Sequence, residues 1–360
     1  MNIRRTYLTP GPSELYFTVQ DHIRAALRDQ IPSISHRSAT FQSIFRETRE
    51  TLSELLDIPD NFHIFFTASA TEIWERTIQN LVEEESYHLI NGAFSSRFFK
   101  IAMELGRNPQ KIMAPDGQVV DLEKIMLSET YELISITHNE TSTGAMHTMK
   151  DLGVLRKAFP EQLIAVDAVS SIPCAPFDFN DFDSLYFSVQ KAFGLPAGLG
   201  VWIVNDRCMA KAESMLMRKR SVGSYHSLPS LWAKALKDQT PETPNVLGIY
   251  LLGKVARDMI TRGIKQIRNE TGYKSAVIYN AVEGHPTVRP FVQKKENRSQ
   301  TVIVLEVDGD VEELQGHLAK NGLVVGTGYG DYADKHIRIA NFPAHSKEQF
   351  EMLADLLKDY

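Results

Sequence analysis

The chain has 360 residues, 43% of them hydrophobic, and 39 Lys plus Arg stand against 45 Asp plus Glu for a formal net charge of −6. A chain this long exceeds the ~100–200 residues that one core usually serves, so about two domains are expected. The composition is that of a folded globular protein, the charge offers no broad positive field for nucleic acid, and no apolar run is long enough to cross a bilayer.

The start, Met1-Asn2-Ile3-Arg4-Arg5, lacks the apolar stretch that follows the charges of a secretion signal. Cys174 and Cys208 are too few for a disulfide framework, which makes a reducing cytoplasm the expected location. The run Arg218-Lys219-Arg220 reads as a solvated helix end.

In chain order, the first clear helix is predicted over 40–56, where Phe41, Ile44, Phe45, Leu52, Leu55 and Leu56 recur at three- and four-residue spacing. Short apolar runs predict strands over 63–67, 87–90, 111–114, 133–137, 163–166, 184–188 and 200–204. Helical spacing over 72–82, 96–104, 122–128 and 151–159 fills several of the gaps between them. This alternation predicts an α/β layer fold with a mainly parallel sheet.

The proline-rich segment 240–244 precedes a long helical stretch predicted over 247–271, which is expected to link a large domain, 17–255, to a small one, 256–360. Beyond it the pattern reads strand 301–307, helix 311–321, strands 323–325 and 336–340, and helix 346–358. The last helix opens with Ser346 and Gln349 at the spacing of a capping box. This is a small α+β domain, on which segment 1–16 is expected to pack.

Lys191 follows the apolar strand Ser184–Ser188 by three residues and precedes the turn-forming Ala192-Phe193-Gly194-Leu195-Pro196. In a parallel sheet that is the carboxyl edge, where open α/β folds bind ligands. A lysine alone at a strand end is usually a solvated surface residue. Asp167, however, ends the apolar run Ile164-Ala165-Val166 and is able to face the same cleft. An amine that forms an imine and an anion that keeps a pyridine nitrogen protonated are what pyridoxal phosphate requires.

The cofactor also needs an anion site. The turn Thr67-Ala68-Ser69-Ala70-Thr71-Glu72 leaves a strand and opens a helix, so backbone amides and the positive helix end converge there. Ser69 and Glu72 equally fit a capping box, and the two readings agree only if Glu72 points away from a bound phosphate.

With Thr9-Pro10-Gly11-Pro12-Ser13, Ser35-His36-Arg37-Ser38, Asn91-Gly92-Ala93-Phe94, His138-Asn139-Glu140-Thr141, Val166-Asp167-Ala168, Ser188-Val189-Gln190-Lys191 and Ile337-Arg338-Ile339 in this order, the chain resembles the class V, fold-type I aminotransferases nearly end to end. Within them it is similar to the phosphoserine and the alanine–glyoxylate aminotransferases. The resemblance implies a large domain built on a mainly parallel seven-stranded sheet, pyridoxal 5'-phosphate as cofactor, no metal, and a homodimer with shared active sites.

Carried over by residue, Lys191 matches the Schiff-base lysine and Asp167 the partner of the pyridine nitrogen. Phe94 matches the aromatic that stacks on the ring, usually a tryptophan, and Thr141 the group that bonds the phenolic oxygen. Ala70, Thr71 and Gln190 match phosphate contacts, and Thr243 one that reaches the phosphate from the neighbouring subunit. Arg338 matches the arginine that grips the substrate carboxylate, a task suited to a planar bidentate donor. His36 and Arg37 match residues that read the substrate's second acidic group, again across a subunit interface.

The implied reaction is a ping-pong transamination between an amino acid and a 2-oxo acid, with the freed Lys191 amine moving the proton. Chain length, His36-Arg37 and Asn139-Glu140-Thr141 favour phosphoserine with 2-oxoglutarate, in serine biosynthesis. Two departures point elsewhere: Thr71 stands where the phosphoserine enzymes tend to carry an arginine, and 326–334 lacks the extra arginine they have shortly before the carboxylate-binding one. Alanine or serine with glyoxylate is the alternative. A cysteine desulfurase-type lyase would need a reactive cysteine near the cofactor, and neither Cys174 nor Cys208 is placed for it. The glycines of Gly326-Thr327-Gly328-Tyr329-Gly330 have the wrong spacing for a dinucleotide fold.

Overall fold

A computed structural model describes residues 5–125 and 130–360. The chain opens with β1 (Thr6–Leu8), α1 (Val19–Arg28) and α2 (Ala39–Leu56). It continues through β2 (Phe62–Thr67), α3 (Ala70–Leu81), β3 (Glu85–Ile90), α4 (Ala93–Glu104), β4 (Asn108–Met113), β5 (Leu133–Thr137) and α5 (Met149–Ala158). Next come β6 (Leu163–Asp167), β7 (Ser184–Ser188), β8 (Gly200–Asn205), α6 (Asp206–Met217), α7 (Leu228–Ala235), α8 (Val246–Arg262) and α9 (Ile264–Ala281). The last elements are β9 (Val288–Pro290), β10 (Val302–Val307), α10 (Val311–Lys320), β11 (Leu323–Thr327), β12 (His336–Ala340) and α11 (Lys347–Lys358).

The larger sheet has seven strands in the order β2-β8-β7-β6-β5-β3-β4, and only β8 runs against its neighbours. Every residue of β5, β6, β7 and β8 is buried, as expected where helices cover both faces of a sheet and the strands read as unbroken apolar runs. The mainly parallel seven-stranded sheet expected from the sequence is therefore present. β4 begins three residues before the strand predicted over 111–114 and includes Pro109, which an edge strand tolerates because half of its backbone groups pair with nothing.

The smaller sheet has the order β1-β11-β12-β10-β9. β1 joins it by pairing in parallel with β11, so a strand from the extreme start of the described chain sits among strands from its last hundred residues. Leu8 accordingly belongs to the apolar cluster formed with Ile303, Leu305, Ile337 and Phe350.

Two readings need correction. The helix predicted over 247–271 is two helices, because Gly263 at φ +89° ends α8 and begins α9; hydrophobic spacing registers no break that one glycine makes. A cut between 255 and 256 would fall inside α8. The core under the large sheet takes in Met259 and Ile267, whereas Ile278 and Ala281 of α9 pack with the small sheet. The helix predicted over 122–128 is a single 3-10 turn at Leu122–Lys124, and its remainder from 126 lies outside the described residues.

The helix caps follow the sequence. Ser38 accepts from the Phe41 amide, Thr148 and Asp151 form a capping box on α5, and Ser346 with Gln349 forms the one expected on α11. Arg218 and Arg220 lie at the end of α6, where both pair with Glu83.

Candidate active site

The carboxyl ends of β5, β6 and β7 open on a cavity of about 340 Å3, within the range of small-molecule sites. Lys191, Asp167, Ala70, Thr71, Phe94, Thr141, Gln190 and Arg338 all line it. Five structural sources meet there: the segment from Thr9 to Gly11, the strand ends, the first turn of α3, the first turn of α4, and the pair β11–β12 of the small sheet.

Lys191 is 7% exposed and its Nζ donates to Thr141 Oγ1 and to Ser170 Oγ, each at 2.8 Å. Burial pushes its ammonium below the ordinary lysine range, with Asp167 acting against that and Arg338 adding to it. Gly11 lies against the stem of this lysine: a Cβ there would stand 3.0 Å from Lys191 Cε, and its φ of +122° already favours glycine. The N-terminal segment thus forms part of the wall.

Asp167 closes β6, in register with Thr137 of β5 and Tyr186 of β7. Its Oδ1 accepts from the Val169 amide at 3.0 Å and its Oδ2 from Trp74 Nε1 at 3.2 Å. Burial raises this carboxyl above the usual range, opposed by the Val169 amide and by Lys191. The buried amine and carboxyl each favour the neutral form when alone and the charged form when the other is charged.

The first turn of α3 resolves the conflict over Glu72. Ser69 Oγ accepts from the Glu72 amide at 3.1 Å, while the Glu72 carboxylate folds back to accept from the Ala68 amide at 2.8 Å and to pair with His226. It therefore points away from the cavity, and capping coexists with a positive helix end at Ala70 and Thr71. The Ala70 amide donates to Ser188 Oγ at 2.8 Å, which ties this turn to the end of β7.

Phe94 is held by Glu140, a fully buried carboxylate that accepts from the amides of Phe94 (3.2 Å), Ser95 (3.0 Å) and Ser142 (3.2 Å) and from the hydroxyls of Ser95 and Ser142. This anion sits on the positive end of α4. Lys191 Nζ is 5.4 Å from the Phe94 ring centroid. Arg338 donates from Nε to Thr327 O at 2.7 Å and from Nη1 to Thr141 O at 3.3 Å, so the guanidinium is tied by backbone oxygens of β11 and of the loop that follows β5.

The cavity suits pyridoxal phosphate on its donor set: a buried amine, a buried carboxyl, a flat apolar face and a helix N-terminus occupy one chamber.

Thr243, His36 and Arg37 lie elsewhere. Thr243 Oγ1 is 3.4 Å from His36 Nδ1, and Arg37 donates to Gln239 Oε1 at 2.7 Å and to Thr240 O at 2.9 Å. They form one cluster at the entrance to α2, outside the cavity of their own chain.

Residues 9–332 match the family described as aminotransferase class-V. The chain belongs to that family. A phosphoserine aminotransferase from Cytophaga hutchinsonii is 45% identical, with a TM-score of 0.97 over 100% of this chain and 99% of the other. A phosphoserine aminotransferase of Corynebacterium glutamicum is 29% identical over 89% of this chain and 85% of its own length. An alanine–glyoxylate aminotransferase from Nostoc sp. is 22% identical with a TM-score of 0.82 over 99% and 95%, a likeness of fold.

As a class-V aminotransferase the protein uses pyridoxal phosphate. Among the residues of this aminotransferase that carry no role in the sequence reading yet stand at the cavity or touch its key groups are Trp74, Ser170, Ser188 and Tyr329. Trp74 could have been found, since it is one helical turn beyond Ala70 and so shares its face. Ser170 is reached only through folding. Cys174 and Cys208 are both buried, burial pushes both thiols up, and neither lines the cavity. Gly326 and Thr327 enter an antiparallel pair with β12, with no crossover helix between the two strands.

Proposed function

We propose that the protein transfers the amino group between phosphoserine and 2-oxoglutarate, and that it does so in serine biosynthesis in the cytoplasm. The observation that carries this reading is the full-length likeness, at 45% identity, to a protein named phosphoserine aminotransferase.

Pyridoxal phosphate, when bound, draws electrons from the carbon that bears the amino group. Lys191 is the group that holds it covalently and then moves the proton, an amine suited to the task because burial keeps its pKa depressed. Asp167 keeps the pyridine nitrogen protonated, and Trp74 and the Val169 amide hold that carboxyl in place. Phe94 would present its face to the ring, Thr141 would bond the phenolic oxygen, and Ala70, Thr71 and Gln190 would bind the phosphate. Arg338 grips the carboxylate common to donor and acceptor.

We further infer a homodimer in which Thr243, His36 and Arg37 complete the cavity of the second copy. Their position outside their own cavity supports this. Two domains are part of the same reading, with the border inside α9, where the packing passes from one core to the other.

One observation favours alanine or serine with glyoxylate instead. Among the described residues, the only cationic side chains lining the cavity are Lys191 and Arg338, and both already have tasks. A phosphorylated donor therefore depends on cations from the second copy. The deciding experiment mixes the purified, cofactor-loaded protein with phosphoserine, alanine, serine or glutamate in single turnover and follows the visible spectrum of the cofactor. Conversion by phosphoserine and glutamate is expected; conversion by alanine or serine without phosphoserine would replace the first reading with the second.

A further inference from the structure

Tyr329 is part of the cavity wall, yet nothing above gives it work to do. It stands between Gly328 and Gly330 in the connection from β11 to β12. Arg338 Cζ lies 5.4 Å from the centroid of its ring, and the Phe94 ring is 5.2 Å away on a tilted approach. Arg338 belongs to the small sheet and Phe94 to the first turn of α4 beside the large one, so Tyr329 joins the two halves of the site. At 41% exposure its ring stands at the mouth.

The backbone beneath this ring is anchored. The Gly328 amide donates to His336 O at 2.7 Å, and the Tyr332 ring stacks on His336 with centroids 4.5 Å apart while its hydroxyl bonds Asp116. A Cβ on Gly328 would lie 1.8 Å from Tyr332 O, so the chain doubles back too tightly there for any other residue. The turn therefore presents Tyr329 from a fixed base.

The two backbone bonds of Arg338 engage Nε and Nη1 but leave the face of the guanidinium to whatever lies against it. Among the described residues the ring of Tyr329 is the aromatic face recorded against Arg338. A flat cation on an aromatic face gains about 0.5–2 kcal/mol, more as water is excluded. Burial lowers the pKa of Arg338, but a guanidinium keeps its charge at neutral pH, so what remains to be fixed is its orientation.

We propose that Tyr329 is a positioning residue: its ring holds the Arg338 guanidinium in the plane that receives a carboxylate. This rests on the reading of Arg338 as the carboxylate grip, and it is independent of which amino acid is the donor.

The test uses the cofactor-loaded enzyme with Tyr329→Phe, Tyr329→Leu and Tyr329→Ala, each alone and in an Arg338→Ala background. Two readouts are taken: the split between KM and kcat, and equilibrium binding of glutarate, a dicarboxylate with no amino or oxo group to exchange. Tyr329→Phe should bind glutarate like the parent. Tyr329→Ala and Tyr329→Leu should weaken glutarate and raise KM for both donor and acceptor by about tenfold, the size of a partly desolvated cation–π contact, with kcat and the cofactor spectrum unchanged. Once Arg338 is alanine, the Tyr329 substitutions should change glutarate binding no further.

A loss in Tyr329→Phe equal to that in Tyr329→Ala would overturn the proposal, since the hydroxyl and not the ring would then be at work. So would a Leu variant that binds like the parent, an undiminished effect in the Arg338→Ala background, or a fall in kcat with KM unmoved. Should Arg338→Ala alone leave glutarate binding intact, the reading of Arg338 falls first and takes the proposal with it. A donor other than phosphoserine in the spectral screen leaves this result untouched.

Discussion

Trp74 and Asp167 are joined by a hydrogen bond at the floor of the cavity, the indole Nε1 donating to the buried carboxyl oxygen Oδ2 at 3.2 Å. The bond links the face of α3 to the end of β6, and with the Val169 amide it sets the direction in which the carboxyl points. Replacing Trp74 by Phe keeps the ring stacked near Phe98 but deletes the donor. A hydrogen bond to a charged group contributes about 1.5–3 kcal/mol. Trp74→Phe is therefore expected to lower kcat by about tenfold or more and to weaken cofactor retention, with little change in fold. Steady-state kinetics and cofactor release on dilution check this, and parental values in both would remove Trp74 from the account.

On the proposed reading Lys191 is the covalent anchor of the cofactor. Lys191→Ala should abolish turnover and the visible absorbance of the bound cofactor. Removing a buried ammonium also ends its attraction to Asp167, but the buried carboxyl left behind can take up a proton and become neutral, so the variant should stay folded; calorimetry tests that. A variant that keeps both the band and turnover would exclude this lysine from the chemistry.

His226 lies between two carboxylates, paired through Nδ1 with Glu72 and through Nε2 with Glu242 at 2.9 Å. Burial acts to lower its pKa, but the contacts with Glu242 and Glu72 outweigh it and bring the imidazole up to about 9, against 6.5 when free. A raised folded value means that the protonated form stabilises the fold. That contribution is complete below about pH 6.5 and is lost as pH rises through about 9. A fall in unfolding free energy on the order of 2 kcal/mol is expected over this window in the parent and not in His226→Asn. Melting curves across the window decide, and equal slopes in the two proteins would contradict the assignment.

Glu140 gathers the amides that open α4 and so sets where Phe94 stands. In Glu140→Gln a neutral amide replaces an anion, and its NH2 group meets donors instead of acceptors. The expected cost is on the order of 2–4 kcal/mol in denaturant unfolding, together with a red or blue displacement of the cofactor band as the facing ring shifts. An unchanged unfolding midpoint would show that the network adds nothing.

Most of the layer order could be read directly. Strands β5, β6 and β7 are apolar runs bounded by turns, and the caps at Ser38, Thr148 and Ser346 obey local spacing rules, so periodicity and propensity suffice for them. The break at Gly263 escapes because one glycine changes backbone direction without disturbing the apolar rhythm on either side. The short strand β1 escapes because three residues carry no period, and its partner β11 is more than three hundred positions away.

For the site, the sequence by itself determined which reactive groups exist, that Asp167 ends one apolar strand and that Lys191 follows another by three residues. Only the tertiary structure decided that they share a chamber with Arg338 and Tyr329 of the small sheet, that Glu72 turns toward His226, and that Thr243, His36 and Arg37 stay outside. The physical reason is range: strand ends and caps are fixed by neighbours a few residues apart, whereas burial, charge coupling and the facing of two sheets depend on contacts between positions that sequence spacing does not relate.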